Sequence, residues 1–504
     1  MAKKSGQQDF FTTRWGLILS VLGIAIGTGN IWRFPRIAAQ NGGPDGAGAF
    51  LVAWVVFLFI WSIPLIIAEY AIGRNGRKGT IGSFMVTATD QYAWMGAFVG
   101  FVAMAIMFYY SVVNGWCIYY FIESTFQPLP HNVEAAQTIW SAFQGSWMPV
   151  FFNAVAIFGA GYVVAHGVKT IERVNTILIP LLALILILSA VRALSLPNSM
   201  DGIKYLFTPD WSMLRNPRVW LEALTQNAWD TGAGWGLILT YATYMRKEDA
   251  VTISAFQTGI GNNAISLLAA VIIFSTVFGT LSGSMSNPQI LEVMKTSGPA
   301  STGLTFMWMP LLFTKMTGGR IFAAFFFLAL TFAAFSSLIS MVELASRLFI
   351  DMGFSRVRAT FGICTVGFFL GLPSAIDLNI FSNQDFVWGL GLIFSGLFIA
   401  FIIIRYGTRI FRERRVNTSP NDWTLGRWWD YVIKFLVPLE GIVLIVWWVY
   451  LSATEFDPKG WYNPFDTYSV ATCVVQWGVV LLFFILMNKR LAKATTSQVE
   501  ETLL

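Results

Sequence analysis

The chain has 504 residues, and its composition excludes an array of two or three soluble domains. Hydrophobic residues make up 56% of it, aromatic residues 16% and charged residues only 12%, and the mean hydropathy is +0.61. The net charge of +6 does not indicate nucleic-acid binding, because the basic residues lie in short loops between apolar segments.

Twelve segments are apolar over the roughly 20 residues that a bilayer requires and are predicted to be membrane-spanning helices. They cover residues 15–38, 50–73, 93–125, 148–166, 174–194, 218–244, 251–281, 320–350, 358–375, 384–406, 429–453 and 467–488. The positive-inside rule predicts a multi-pass protein of the inner (plasma) membrane with both termini in the cytoplasm. All three cysteines lie within these spans and indicate no disulfide or metal site.

The segments outside the spans carry four further predictions. Residues 1–14 form a cytoplasmic segment without a cleavable signal, and 489–504 form a cytoplasmic tail whose polar end is predicted to be disordered. The long outer loop at 283–319 either folds back as a cap over a vestibule or packs on the surface. The basic loop at 407–428 is predicted to be a solvated face beside anionic lipid.

The first span is interrupted by Gly23, Gly27 and Gly29, and each glycine costs a helix about 1 kcal/mol relative to alanine. One interpretation is a close-packing face between helices. The other is a broken helix, which a bilayer tolerates only where the unwound backbone is buried in protein or lines a cavity. Its free carbonyl groups and Asn30 would then face an ion or a substrate.

A second span is interrupted in the same way at 226–236 (QNAWDTGAGWG), where the break carries Asp230. Two glycine-broken helices, one in each half of the chain, are typical of an inverted-repeat secondary transporter with a site at the membrane midplane. The second stretch therefore favours the interpretation as broken helices.

Polar side chains inside membrane spans are costly and usually functional. Asn30, Asp230 and Asn262 offer amide and carboxylate oxygens, which suit a hard cation such as Na⁺. Ser336 and Ser337 add a pair of hydroxyls. Serine in a membrane helix often bonds to its own backbone, so the pair has both a structural and a functional interpretation.

The other polar groups in the spans do not indicate catalysis. Asn114 is typical of a helix–helix hydrogen bond, and Glu69 and Glu440 near span ends are interpreted as structural. A membrane enzyme needs clustered histidine, cysteine or acidic residues, whereas His131 and His166 fall on opposite sides of the predicted membrane. The chain is not predicted to be an enzyme.

Nearly the whole chain resembles the neurotransmitter:sodium symporters, whose best-known bacterial member is a leucine transporter. The motifs are GTGNIWRFP at 27–35, NGG at 41–43 with GAF at 48–50, the Tyr109-Tyr110 pair, residues 226–236, Asn262, and AAFSS at 333–337. The resemblance implies an all-α integral membrane fold with two inverted five-helix repeats, at about 15–194 and 218–406, in which helices 1 and 6 are broken. Residues 15–406 would form the transporter core, and 429–488 two further helices.

The resemblance also implies two sodium sites, a substrate site and two gates. The first sodium site would use Ala25, Asn30, Asp230 and Asn262, and the second Gly23, Ile26, Ala333, Ser336 and Ser337. Substrate would contact Ala25, Gly27, Thr28, Gly29, Ile106, Tyr110, Trp229, Gly232, Trp235, Ser337 and Met341. The outer gate would pair Arg33 with Asp385, and Asp351 would belong to the inner gate.

The inner gate departs from the family pattern. Gln8 stands where the family often has the arginine that pairs with the inner carboxylate. Lys3, Lys4 or Arg14 would therefore have to replace it as the partner of Asp351.

Chloride is not expected as a co-ion. Ser266 alone would indicate chloride dependence, because chloride-independent relatives have a carboxylate there. Asp230, however, supplies a carboxylate where the family commonly has threonine or serine, and that charge would repel a nearby anion. Trp54 replaces the tyrosine of chloride-using members.

The predicted function is sodium-coupled import of a neutral, hydrophobic amino acid or a similar zwitterion by alternating access. Gly27 stands where amine-transporting relatives carry an aspartate for the ligand's ammonium group, so the space can admit a carboxylate instead. The alternatives are a transporter of a betaine or small cationic amine, and a transporter-like sensor. The expected partners are a small-molecule substrate and membrane lipid, with no nucleic acid; the oligomeric state is left open.

Overall fold

The computed structural model describes residues 10–295 and 303–503, with side chains as far as residue 496. This part of the chain is almost entirely helical, and its one β-type pairing is an isolated bridge between Ala47 and Pro209. Following the predicted orientation, the side near Gly79 and Asp351 is called the inner side. The side near Arg218 is called the outer side.

The first half of the chain forms ten helices. They are α1 (Arg14–Ala25), α2 (Thr28–Gln40), α3 (Gly48–Gly76), α4 (Thr80–Thr87), α5 (Ala93–Phe126), α6 (Val133–Gln144), α7 (Met148–Ala165), α8 (Val168–Leu194), α9 (Ser199–Phe207) and α10 (Pro217–Asp230).

The second half adds nine more within the described residues, apart from a short helical segment at 408–416. They are α11 (Leu237–Ala242), α12 (Thr252–Leu281), α13 (Asn287–Lys295), α14 (Gly303–Thr314), α15 (Gly319–Ile350), α16 (Arg356–Ile376), α17 (Leu378–Tyr406), α18 (Trp428–Phe456) and α19 (Val470–Leu503).

Ten of these helices are long and apolar enough to cross a membrane, and the bent pair of α1 and α2 makes an eleventh candidate. The predicted sixth span is the pair of α10 and α11, whose 14 and 6 residues are each too short to cross alone. The interruption at 231–236 is the reason this span differs from the continuous ones. The predicted all-α membrane fold with two broken helices is confirmed.

The loop at 407–428 is docked on the bundle through Arg412 and Asp422, so the prediction of a solvated face was wrong for these two residues, whereas Arg409 and Arg414 are exposed as predicted. Arg412 is buried and pairs with Asp430 at 2.9 Å. Asp422 accepts hydrogen bonds from the first backbone N–H groups of α12, at Val251 (2.7 Å) and Thr252 (2.8 Å). A carboxylate at a helix N-terminus is favoured by the helix dipole, which explains why Asp422 turns toward α12.

The end of the chain also differs from its prediction. Helix α19 continues through the predicted tail to Leu503. Residues 489–503 contain no glycine or proline and are rich in alanine, leucine, lysine and glutamate, which are strong helix formers.

The outer loop at 283–319 folds back against the bundle, where its residues from 303 onward pack on neighbouring helices. The Phe306 ring of α14 lies 5.8 Å from the Trp32 ring of α2 and 4.8 Å from the Tyr120 ring of α5. It also stacks on Trp140 of α6 at 5.5 Å. Helix α14 therefore packs on α2, α5 and α6, and residues 296–302 lie outside the described part of the chain.

Candidate cation and substrate site

The first glycine-rich stretch breaks its helix, as predicted. Helices α1 and α2 meet at an angle of 50°. Ile26 leaves the helical conformation with a ψ of 90°, and Gly27 begins α2 with its N–H donating to Asn30 Oδ1 at 2.8 Å. The break leaves main-chain carbonyl groups of the last turn of α1 without helical partners, so they can face other ligands.

The second break is longer and is held by a buried acid. Gly232, Gly234 and Gly236 have positive φ values of 66°, 88° and 78°, which only glycine adopts readily. Glu69 of α3, fully buried, accepts hydrogen bonds from Gly234 N at 2.6 Å and from Leu239 N at 3.0 Å. Glu69 therefore pairs with backbone groups that the unwound segment leaves free, in agreement with its structural interpretation.

The four residues predicted for the first sodium site meet where the two breaks face α12. One atom of the Asn262 side-chain amide lies 3.1 Å from the Ala25 carbonyl oxygen, 3.0 Å from the Asp230 carbonyl oxygen and 2.7 Å from Asn30 Nδ2. An amide nitrogen in this position donates to both carbonyls, whereas an amide oxygen completes an all-oxygen cluster. Three oxygens at this spacing suit a hard cation such as Na⁺.

The Asp230 side chain departs from the prediction that placed its carboxylate among the sodium ligands. Its Oδ1 accepts a hydrogen bond from Gln226 Nε2 at 2.6 Å, and its Oδ2 accepts one from Ser266 Oγ at 3.3 Å. The main-chain carbonyl is the Asp230 oxygen that faces Asn262. A buried carboxylate needs donors, and these two side chains supply them.

Gln226 is a residue that the sequence reasoning did not single out as a partner. It precedes Asp230 by four positions, so both lie on one face of α10. That spacing was the available signal.

The residues predicted for the second sodium site also come together, between α1 and α15. Ser337 Oγ lies 3.3 Å from the Gly23 carbonyl oxygen and 3.5 Å from that of Ile26. Ser336 Oγ donates to the Ala333 carbonyl at 3.1 Å, within its own helix. Ser336 thus follows the structural interpretation in this conformation, whereas Ser337 reaches across to α1.

A cavity of about 910 Å³ lies beside both clusters. Ten of the eleven predicted substrate residues line it: Ala25, Gly27, Thr28, Gly29, Tyr110, Trp229, Gly232, Trp235, Ser337 and Met341. Ile106 is fully buried and is not part of the cavity wall. The Tyr110 hydroxyl accepts a hydrogen bond from Thr28 N at 3.2 Å, at the first turn of α2.

The outer gate residues face the same cavity without closing it. Arg33 and Asp385 both line the cavity, and no ion pair joins them among the contacts of the described residues. The Arg33 guanidinium instead lies 5.2 Å from the centre of the Trp229 ring. The cavity wall continues to Arg218 and Glu455 at the outer side, so the site is open in that direction.

The inner side is closed by buried ion pairs. Asp351 pairs with Arg347 at 2.9 Å and accepts a hydrogen bond from Gly79 N at 2.5 Å. Arg356 pairs with the buried Glu343 at 2.6 Å and donates to the Tyr244 hydroxyl at 3.1 Å. The sequence reasoning missed this second pair, whose members come from two helices.

Among the described residues, the ion-pair partner of Asp351 is Arg347 and not the predicted Arg14. Arg347 lies one turn earlier on the same helix, so its i,i+4 spacing makes it the partner. Arg14 is exposed and makes no ion pair with Asp351, and the other predicted partners, Lys3 and Lys4, lie outside the described residues, as does Gln8.

The segment before α1 reinforces the inner closure. Glu172 of α8 accepts hydrogen bonds from Thr12 N at 2.8 Å and Thr12 Oγ1 at 2.6 Å, and from Thr13 N at 3.1 Å. Phe11 N donates to the Tyr244 carbonyl at 3.2 Å. This segment therefore lies across the inner end of the bundle.

Known proteins are similar to this chain in sequence and in fold. The model of the sodium:neurotransmitter symporter family matches residues 8–146 and 145–496. A sodium-dependent transporter of Methanocaldococcus jannaschii, itself uncharacterised, is 30% identical over 492 residues, which is 92% of this chain and 94% of the relative. The Drosophila melanogaster sodium-dependent serotonin transporter is 27% identical over 486 residues, 87% of this chain and 74% of the relative.

A solved structure agrees with both comparisons. The crystal structure of MhsT in complex with L-phenylalanine matches with a TM-score of 0.76 at 28% identity, covering 87% of this chain and 99% of that chain. Since the family match spans nearly the whole sequence, this chain is a multi-pass, sodium-dependent membrane transporter that belongs to the sodium:neurotransmitter symporter family.

Proposed function

We propose that the protein imports a neutral, hydrophobic amino acid together with sodium, by alternating access. The observation that carries the proposal is a single cavity, open to the outer side and closed to the inner side, whose wall includes members of both oxygen clusters. Substrate and cations would then load from the outside together. The proposed orientation has both termini in the cytoplasm, and the two repeats keep the boundaries predicted from the sequence.

The polar end of the cavity suits an α-carboxylate. A Cβ at Gly27 would lie 3.1 Å from the Tyr110 hydroxyl and 3.4 Å from Ser337 Oγ, so glycine keeps this space open. The space adjoins the N-terminus of α2, where backbone N–H groups and the helix dipole favour an anion. Position 27 is glycine and offers no carboxylate to pair with an amine, so we propose an amino acid rather than a bare amine.

The other end of the cavity suits an apolar side chain. Trp229 and Trp235 meet edge to face at 5.4 Å, and Met341 adds a flexible apolar surface. The MhsT structure contains a hydrophobic amino acid, L-phenylalanine, and this complex supports the same class of substrate here.

Two sodium ions are proposed, one for each oxygen cluster. The first cluster offers oxygens of Ala25, Asp230 and Asn262, and the second those of Gly23, Ile26 and Ser337, with Ser336 and Ala333 beside it. A bound cation supplies positive charge that can contact the substrate's carboxylate. Replacing Ser336 and Ser337 together by alanine should lower the sodium affinity, because a dehydrated cation then lacks two oxygens.

Chloride independence is proposed from the position of the Asp230 carboxylate. This fixed charge is held by Gln226 and Ser266, close to the first cluster, and so provides the negative charge that an anion would otherwise supply. Uptake by the parent protein should not change when gluconate replaces chloride. Asp230→Ser should impair uptake in gluconate and make it respond to chloride; a parent protein that needs chloride would contradict the proposal.

Uptake into proteoliposomes tests the main proposal. We expect an inward sodium gradient to drive uptake of labelled L-phenylalanine, a sodium ionophore to abolish it, and unlabelled neutral amino acids to compete better than betaines or monoamines. Gly27→Ala should reduce uptake because its methyl group enters the space beside Tyr110. Gly362→Ala is the matched control, since a Cβ there meets nothing within 4 Å. Uptake without sodium, or a preference for monoamines, would contradict the proposal.

A further inference from the structure

Asn175, in the inner half of α8, is a polar side chain for which no role was predicted. The residue is fully buried, and neither its amide oxygen nor its amide nitrogen has a hydrogen-bond partner in the described part of the chain. Burying an amide without hydrogen-bond partners costs free energy, so its presence here indicates a ligand or a function.

The amide lies at the edge of the second oxygen cluster. A Cβ placed on Gly23 would be 3.3 Å from Asn175 Oδ1 and 3.2 Å from Ser336 Cβ, so the glycine lets these three residues approach closely. Gly23 and Ser336 belong to the residues proposed for the second sodium ion. The amide oxygen of Asn175, on a third helix, α8, therefore lies beside the junction of α1 and α15.

The neighbouring Tyr241 hydroxyl does not form a hydrogen bond with the Asn175 amide. The Tyr241 hydroxyl interacts with Asn175 from outside hydrogen-bond geometry and instead accepts a hydrogen bond from Ser340 Oγ at 3.1 Å. Ser340 also donates to the Ser336 carbonyl at 3.0 Å. Asn175 Oδ1 accepts no hydrogen bond in the described part of the chain, so its lone pairs can face a cation.

We propose that Asn175 contributes to the second sodium site: its amide oxygen stabilises the cation from the α8 side. The inference rests on the proposed function, because it needs a sodium ion between α1 and α15. An amide oxygen is a hard ligand of the kind that sodium prefers, and its dipole acts strongly where water is excluded. The unpaired amide then has a reason to be buried at this place.

The test measures sodium binding with sodium as the only ligand. The purified protein is unfolded by heat at increasing NaCl, with choline chloride keeping the ionic strength constant, and the NaCl concentration for half-maximal stabilisation is recorded. Asn175→Leu removes the amide at similar volume and should raise this concentration about tenfold, as expected for a hydrogen-bond-scale contact to a charge. Asn175→Asp adds a negative charge and should lower it.

Asn153 provides the matched control. It is another fully buried asparagine whose amide lacks partners in the described part of the chain, but it lies between α7 and α16, beside Gly371. Asn153→Leu should leave the half-maximal sodium concentration as in the parent, even if the unfolding temperature in choline falls. A purely structural Asn175 would likewise change only the temperature in choline.

The outcomes separate this inference from the proposed function. A parent protein that sodium does not stabilise would overturn both. A sodium response in the parent that Asn175→Leu leaves unchanged, or that Asn153→Leu weakens equally, would overturn the role of Asn175 alone. If Asn175→Leu does not fold, the Asn175→Asp variant provides the test. Half-maximal stabilisation of this variant at a NaCl concentration no lower than that of the parent would overturn the inference.

Discussion

The inner and outer ends of the bundle use ion pairs in opposite ways. The inner pairs are buried: in Glu343 and Arg356 the side chains are 0% and 18% exposed, and in Asp351 and Arg347 they are 8% and 18% exposed. The outer pair of Arg218 and Glu455 leaves both side chains 44% exposed.

This difference indicates which end opens more easily. A buried pair that loses one partner leaves an unpaired charge in a low dielectric, which is strongly unfavourable, whereas an exposed pair is solvated in either state. The inner end is therefore closed by interactions that must break together. The outer end is open, with Arg33 over Trp229, and can close around a substrate without breaking a buried pair.

The largest expected effect comes from breaking the inner closure. Glu343→Ala leaves the Arg356 guanidinium buried without its carboxylate, which should destabilise this conformation by about 3–5 kcal/mol. We expect a lower unfolding temperature and faster labelling of a cysteine introduced on the inner side. Arg409→Ala, which breaks the exposed pair with Glu413, is the control and should behave like the parent. Equal effects of the two variants would contradict the comparison of buried with exposed pairs.

A substitution between the two ends should weaken binding without favouring either end. Tyr110→Phe removes the hydroxyl that we propose donates to the substrate's carboxylate, so binding should weaken by about 1.5–3 kcal/mol, as for a hydrogen bond to a charged group. Equilibrium binding of labelled L-phenylalanine at saturating sodium measures the loss. Tyr92→Phe, outside the cavity wall, is the matched control. Wild-type affinity in Tyr110→Phe would show that the hydroxyl does not contact the carboxylate.

A smaller effect is expected from the segment before α1. Glu172→Gln keeps the shape of the side chain but removes the charge that attracts the donors of Thr12 and Thr13. The free energy that holds this segment against α8 should therefore fall by about 1–2 kcal/mol. Hydrogen exchange of the amides at residues 11–13 should become faster, while exchange in the middle of α8 should not. Unchanged exchange at these amides would mean that Glu172 does not hold the segment.

The breaks and the polar residues of the first cluster could be predicted because their signals are local, whereas the second cluster was implied by the family resemblance. Glycine clusters mark the unwound segments, and Asn30, Asp230 and Asn262 stand out as polar residues in apolar spans. Which atom each residue contributes was not predictable. The direction of the Asp230 carboxylate depends on Gln226, one turn away, and on Ser266 of another helix.

The inner closure was less predictable because it joins distant parts of the chain. Glu343, Arg356 and Tyr244 meet only after α15, α16 and the segment following α11 have packed together. Charge patterns in single loops also misled the prediction for residues 407–428, since composition does not reveal that Asp422 would find the N-terminus of α12. Local composition thus identified the site better than the contacts that close it.

The smallest effect is expected at the outer pair. Arg218→Ala removes an ion pair at 3.1 Å between α10 and α18 whose members both remain half-solvated, so the change in stability should be about 0.2–1 kcal/mol and should shrink as salt screens the pair. Unfolding temperature and labelling of an outer cysteine, each measured at low and high salt, provide the comparison, with Lys204→Ala at another exposed pair as the control. A loss as large as that of Glu343→Ala would mean that Arg218 closes the outer end through contacts that the open conformation does not reveal. The two ends would then differ in conformation but not in the strength of their closure.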